Sequence, residues 1–277
     1  MSGKRQRNAE QLARAYAIEK ELSSRLRNPD KEERRKAYAA AYDEWNDRVG
    51  NDPQLSPRND VPCNAAAVAD QKKMLMRFLR PGATFLEVGP GDCALTAEIA
   101  RYVPKAYAVD VSLRNDGISV LPQNVEFILS DGCNIPIPAG SVDFAYSNQL
   151  LEHLHPEDAF EQLCNIYEAL SPGGVYLCVT PNRLCGPHDI SGYFDDVSEG
   201  FHIREYTVSE AVKLFTEAGF SECRLLLGAK GMYLSLPASP VRWIEHVLEK
   251  LPHGVGRRIS SWLPFRLLLG IKLVARK

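Results

Sequence analysis

The sequence predicts an α/β fold: a doubly wound, mostly parallel sheet of seven strands, with an antiparallel C-terminal strand pair and an N-terminal helical appendage. Three observations predict it. Short apolar runs alternate with helical patterns from residue 65 to residue 218. Phe85–Cys93 reads as a buried strand ending in an acid and a glycine turn, and Ala106–Asp110 is a second apolar strand capped by a carboxylate. The last two strand candidates follow without a crossover of the earlier type, which suggests an antiparallel pair at the sheet edge.

Residues 9 to 50 read as two helices. Leu12, Tyr16, Leu22 and Leu26 share a face of the first, and Tyr38, Tyr42, Trp45 and Val49 recur at helical spacing in the second. Between them, Asn28-Pro29-Asp30 reads as a cap, a proline at the first helical position and acids in the first turn. Such faces must pack somewhere, as a plain appendage or as a lid contributing to a pocket. Asn51 to Cys63 carries three prolines and reads as a linker. The chain therefore divides into residues 1–60, appendage and linker, and residues 61–277, the main domain.

In the main domain a helix over 65–79 stops at Pro81-Gly82. Strands are expected at Thr84–Val88, Ala106–Asp110, Val125–Leu129, Val142–Ser147 and Gly174–Thr180. Helices are expected at Ala94–Tyr102, Pro156–Leu170 and Thr207–Ala218. Ser221–Leu227 and Leu268–Ala275 are the closing strands. They flank a helical insert at 228–266, with Val241, Ile244, Val247, Leu248 and Leu251 on an apolar face.

Composition excludes several classes. A net charge of −2 gives no global basis for binding nucleic acid, and Lys4-Arg5-Gln6-Arg7 reads as a solvated tail. The cysteines are Cys63, Cys93, Cys133, Cys164, Cys178, Cys185 and Cys223, without a C-x-x-C pair, which fits reduced and mostly buried thiols. Sequence spacing shows no clustered zinc ligands, so no metal is expected. The N-terminus lacks a signal-peptide core and no run approaches the ~18 apolar residues of a span, so a cytoplasmic location is expected.

The chemistry centres on Glu87-x-Gly89-x-Gly91. Its glycines let the backbone turn and approach a ligand, and the next helix points its N-terminus there. A carboxylate at Glu87, on an apolar strand, needs a partner such as a ligand amine. Asp110 can accept both hydroxyls of a ribose, and Ser130-Asp131-Gly132 places another acceptor near an adenine. Gly89-Pro90-Gly91-Asp92-Cys93-Ala94 also fits a dinucleotide fingerprint, so an NAD(P)-dependent oxidoreductase is an alternative, as is a non-catalytic protein on this fold. Glu87 stands where dinucleotide folds usually carry an apolar residue, and Asp131 has no dinucleotide role.

Together these residues resemble class I S-adenosylmethionine-dependent methyltransferases of the small-molecule and quinone type, over residues 65 to 227. Glu87-Val-Gly89-Pro-Gly91 matches the family's first motif, Asp110 its ribose-binding acid and Asp131 its adenine-side acid. Ser147-Asn148, then Leu151-Glu152-His153-Leu154, resembles the segment after strand four. Leu170-Ser171-Pro172-Gly173-Gly174 matches the turn into strand five. Cys93 departs from the pattern, where many relatives carry a third glycine.

The resemblance implies a Rossmann-like sheet, S-adenosyl-L-methionine as cofactor, and Glu87, Gly89, Gly91, Asp110, Asp131, Ser147 and Asn148 as its binding residues. The implied reaction is an in-line displacement at the sulfonium methyl, so a hydroxyl nucleophile benefits from a base. His153 after strand four is one candidate. His188 and His202 are others, in a segment from Pro181 to Tyr206 too long for an ordinary connection.

No Asn-Pro-Pro-Tyr signature follows strand four, which weighs against the usual amino-type methylation. The default substrate is a small hydroxylated molecule (a sugar, a phenolic or a natural-product intermediate) methylated on oxygen, with N- or C-methylation of a small or lipid-linked acceptor as the alternative. Trp243, Ile244, Trp262, Leu263 and Phe265 with Arg242, Arg257 and Arg258 could form a membrane-facing surface, but a cap on the core or a homodimer contact is preferred.

Overall fold

The computed structural model describes residues 9–28, 30–50, 65–112, 121–229 and 231–277. The expected linker with Cys63, Pro29 and the Lys4–Arg7 tract lie outside the described residues.

Five apolar runs form parallel strands: β1 (Thr84–Val88), β2 (Lys105–Asp110), β3 (Val125–Leu129), β4 (Val142–Asn148) and β5 (Leu170–Thr180). Strand side chains alternate between faces, and here both faces are covered. Phe85, Phe144, Tyr146 and Leu177 belong to one core layer, with Leu75 of helix α3 (Ala65–Leu75) and Ile99 of α4 (Ala94–Ile99). Leu86, Ala145, Tyr176 and Cys178 belong to the other, with Leu163 of α5 (Pro156–Ala169) and Phe215 of α6 (Val208–Glu217). That second layer also takes the N-terminal helices α1 (Ala9–Leu26) and α2 (Lys31–Trp45), the latter running on as a wider turn over Asn46–Gly50.

The sheet has eight strands rather than seven, in the order β3-β2-β1-β4-β5-β8-β6-β7. The closing strands are β6 (Glu222–Ala229) and β8 (Ile271–Arg276), and β8 runs antiparallel to both β5 and β6. The additional strand, β7 (Met232–Pro237), forms a hairpin with β6 inside the segment expected to be wholly helical. Gly228 permits this hairpin: it has φ +129°, and a Cβ there would lie 2.0 Å from the Met232 carbonyl oxygen. The rest of the insert is helical, as α7 (Ser239–Glu249), α8 (His253–Ser260) and α9 (Leu263–Leu269). Val241 and Leu248 of α7 are buried and Ile244 half-buried, whereas Val247 faces solvent, as do Trp243, Trp262 and Leu263.

Two groups of polar contacts fasten the N-terminal helices to the sheet domain. Arg34 on α2, fully buried, donates from Nε and Nη2 to the two oxygens of Asp158 on α5 at 2.8 and 2.9 Å. Tyr38 Oη donates to the same carboxylate at 2.8 Å and accepts from the His155 amide at 3.0 Å. From the end of α1, Arg27 donates to the carbonyls of Ser198, His202 and Ile203 at 2.9–3.2 Å. The cap of α2 is Asp30, whose carboxylate accepts from the Glu33 amide. Asn28, expected to be the cap, instead accepts from the Asp30 amide just ahead of the helix. Among the described residues no helix is long and apolar enough to cross a membrane.

Candidate active site

Strand order reverses between β1 and β4, and the crevice beyond the carboxyl ends of strands at such a point is where open α/β sheets bind ligands. A crevice of about 420 Å³ opens there. Gly89, Gly91, Asp110, Ser130 and Gly132 line one part of it. Gly89 and Gly91 have φ +69° and +60°, so the turn after β1 follows a path other residues resist. A Cβ built on Gly91 would meet no atom within 4 Å, which leaves room for a ligand to approach the backbone. Asp110, at the end of β2, accepts from the amides of Val111 at 2.7 Å and Gly91 at 3.2 Å. Burial raises its pKa above the usual carboxylate range, against the opposing pull of those amides. A carboxylate fixed beside side-chain-free backbone suits a ribose with two hydroxyls, and these residues fit the nucleoside of the expected cofactor. Cys93, with φ +57°, occupies the left-handed conformation that glycine adopts most readily.

Other predicted cofactor residues are not among those that line the crevice. Asp131 uses its carboxylate within its own turn, accepting from the amides of Cys133 and Asn134 and from Asn134 Nδ2, with Arg35 3.6 Å away. Ser147 points into the core, where its hydroxyl meets Tyr176 Oη at 2.7 Å. Asn148 ends β4 but does not line the crevice, which is bounded there by Gln149 and Leu150.

Glu87 shares the β1 face of Phe85, so it turns toward α4, where Thr96 Oγ1 donates to it. The partner expected from a ligand amine is thus supplied first by a threonine. Burial pushes the Glu87 carboxyl up to about 8, with Asp92 and Asp110 adding to the rise and the Thr96 hydrogen bonds opposing it. A raised carboxyl pKa means that stability is full below the unfolded-state value and is lost as pH rises through the folded one. Between about pH 5.5 and 8 this amounts to a loss on the order of 3 kcal/mol. Urea denaturation of the ligand-free protein at both pH values is expected to show that loss, and Glu87→Gln to lack most of it. Equal pH slopes for the two proteins would refute the assignment.

The segment after β5 brings the histidines in. Asp189 caps the turn Ile190–Tyr193 and accepts from the amides of Gly200 and His202, which folds the loop back on itself. Glu205, buried, accepts from His202 Nδ1 at 2.7 Å, His188 Nδ1 at 3.1 Å and the His188 amide at 2.7 Å. Burial alone would raise the Glu205 carboxyl, but these donors hold it well below the usual range. His202 faces the crevice; burial disfavours its charged form, yet Glu205 and Glu152 outweigh burial and raise its pKa. His188 does not line the crevice and serves Glu205 instead. His153 does line it, with Nδ1 donating to the Phe201 carbonyl at 3.0 Å. Burial, with the neighbouring His202, lowers its pKa to about 3, so the ring stays neutral.

The N-terminal helices supply a further part of the wall: Tyr38, Tyr42 and Trp45 of α2 and Glu19 of α1. Tyr42 and Trp45 pack on Phe201, at ring-centroid distances of 5.2 and 6.1 Å. The signal for these residues was the helical spacing of aromatics. Gln149, Leu150 and Ile190 carried no signal of their own.

Residues 64–222 match the family model described as a methyltransferase domain, more than half of the chain. The chain belongs to that family. Among curated relatives of this chain, a protein of Mycolicibacterium smegmatis named a "probable S-adenosylmethionine-dependent methyltransferase" is 31% identical over 147 residues, 50% of this chain and 52% of that protein. A Mycobacterium tuberculosis protein of the same description is 30% identical over 109 residues, 38% of each chain. The match thus spans about half, or less, of the length of these relatives. Among solved structures, a S-adenosylmethionine-dependent methyltransferase from Archaeoglobus fulgidus superposes with TM-score 0.52 at 16% identity, covering 77% of this chain and 94% of that one. Haemonchus contortus phosphoethanolamine N-methyltransferase 2, in complex with S-adenosyl-L-methionine, gives 0.50 at 17% identity, covering 75% and 52%. These likenesses establish the fold of this chain.

Proposed function

We propose that this methyltransferase moves the methyl group of S-adenosylmethionine to a hydroxyl oxygen of a small molecule. One observation carries the reading: a single crevice joins the glycine loop and Asp110 to His202, a ring backed by the Glu205 carboxylate. S-adenosylmethionine would supply an activated sulfonium methyl. Gly89, Gly91 and Asp110 hold the nucleoside in this reading, and Tyr42, Trp45 and Phe201 keep water from the acceptor. His202 takes the hydroxyl proton at Nε2, because its Nδ1 is committed to Glu205.

Calorimetry with S-adenosylhomocysteine and with NAD tests the first part: the former is expected to bind and the latter to give no heat. The reverse result overturns the reading. A tritiated methyl donor incubated with fractionated metabolites then identifies the acceptor. With it in hand, His202→Ala is expected to lower turnover by about 100-fold while leaving S-adenosylhomocysteine affinity within about threefold. Full turnover in that variant removes His202 from the chemistry.

A further inference from the structure

Glu152, His153 and His202 each offer one ligand atom, and the three atoms lie within 4.8 Å of one another. The first two follow β4 and the third lies in the loop after β5, so the fold and not the sequence spacing assembles them. Each is already oriented by a second contact. His153 Nδ1 donates to the Phe201 carbonyl and His202 Nδ1 donates to Glu205, which leaves Nε2 of both rings as the ligating nitrogen. Glu152 accepts from Thr180 Oγ1 at 2.8 Å through Oε2. Its other oxygen, Oε1, is buried without a hydrogen-bond partner, although the residue is fully inaccessible to solvent.

An unpartnered carboxylate oxygen in a dry site costs free energy that a bound ligand would recover. Rings anchored through Nδ1 to a carbonyl or a carboxylate are the arrangement that metal-binding histidines adopt, since the outer contact fixes both tautomer and direction. We propose that Glu152 Oε1, His153 Nε2 and His202 Nε2 bind one divalent first-row transition-metal ion. Two imidazoles and one carboxylate suit zinc, iron, cobalt or manganese better than calcium or magnesium, which prefer all-oxygen shells. Three protein ligands leave coordination positions open. His153 and His202 both line the crevice, so an open position faces the space where the acceptor is placed. That last point rests on the proposed methyl-transfer reading; the metal site itself does not. With the ion bound, His202 Nε2 is a ligand, so the proton-accepting role proposed above belongs to the metal-free protein; the ion would lower the pKa of a bound hydroxyl, whose proton would pass to solvent.

The probe is Co²⁺ alone, added to the full-length, metal-stripped protein without cofactor or acceptor. The expected result is one equivalent bound, with visible d–d absorption that Zn²⁺ displaces. His153→Ala and His202→Ala are each expected to weaken Co²⁺ binding by about 100-fold or more, and Glu205→Gln, which alters the outer contact to His202 along with those to His188, by about 10-fold. Circular dichroism and S-adenosylhomocysteine binding verify that each variant is folded. Wild-type protein that takes up no stoichiometric Co²⁺, or folded histidine variants that bind it as tightly as wild type, would overturn the proposal. The two readings fail separately: S-adenosylhomocysteine bound without Co²⁺ removes only the metal site, and Co²⁺ bound without S-adenosylhomocysteine removes only the methyl-transfer reading.

Discussion

Asp110→Ala is expected to weaken S-adenosylhomocysteine binding by about 100-fold, equivalent to about 3 kcal/mol. The carboxylate is held in place by two backbone amides of its surroundings, so it meets a ligand already oriented. Charge-assisted hydrogen bonds to a pair of hydroxyls are each worth more than neutral ones, and Asp110 is half-buried, which leaves it only partly solvated. Truncation also removes the bond from the Gly91 amide to this carboxylate, one tie between β2 and the turn that must approach the ligand. The core layers on either side do not depend on this side chain, so the unfolding midpoint is expected to stay near that of wild type. Calorimetry and thermal unfolding on the same preparation separate the two effects. Affinity within about threefold of wild type would refute Asp110 as a ligand contact.

The second large effect concerns stability. Arg34→Ala is expected to destabilise the protein by about 3–5 kcal/mol, a substantial share of the total for a domain of ordinary stability. Asp158 is fully buried, and Arg34 satisfies both of its oxygens. Removing the guanidinium leaves a buried carboxylate with only the Tyr38 hydroxyl to answer it, and frees the Asn28 carbonyl and Glu157 as well. Replacing both partners by apolar residues, as in Arg34→Met with Asp158→Leu, is expected to recover much of the loss, because no charge is then stranded. Urea denaturation of the two variants decides it: a double variant no more stable than Arg34→Ala would show that packing, not the lost pairing, sets the cost.

Much of this architecture was legible in the chain. Strands β1 and β4 read clearly because both of their faces are buried, which forces continuous apolar runs; β3, at the sheet edge with half-buried and exposed side chains, was still marked by its apolar residues, and α5 and α6 carried their period and caps openly. Strand β7 did not, because it is an edge strand with mostly exposed side chains and is specified by a glycine hairpin rather than by an apolar pattern. The site divides in the same way. Gly89, Gly91 and Asp110 are local and line the crevice. Ser147 and Asp131 stand beside it in sequence, but strand alternation turns one into the core and a tight turn consumes the other. The meeting of His202 with Glu152 and His153 depends on how a long loop folds, and spacing along the chain does not encode that.

The buried carboxylate of Glu245 has a consequence for how this chain can be altered. It reaches from α7 to the Val208 and Ser209 amides that open α6, and to Asn182 at the exit of β5. The insert therefore terminates a helix that belongs to the sheet domain. Excising it, or grafting one from a relative, would leave those donors exposed inside the protein unless the transplant brought an acid to the same place.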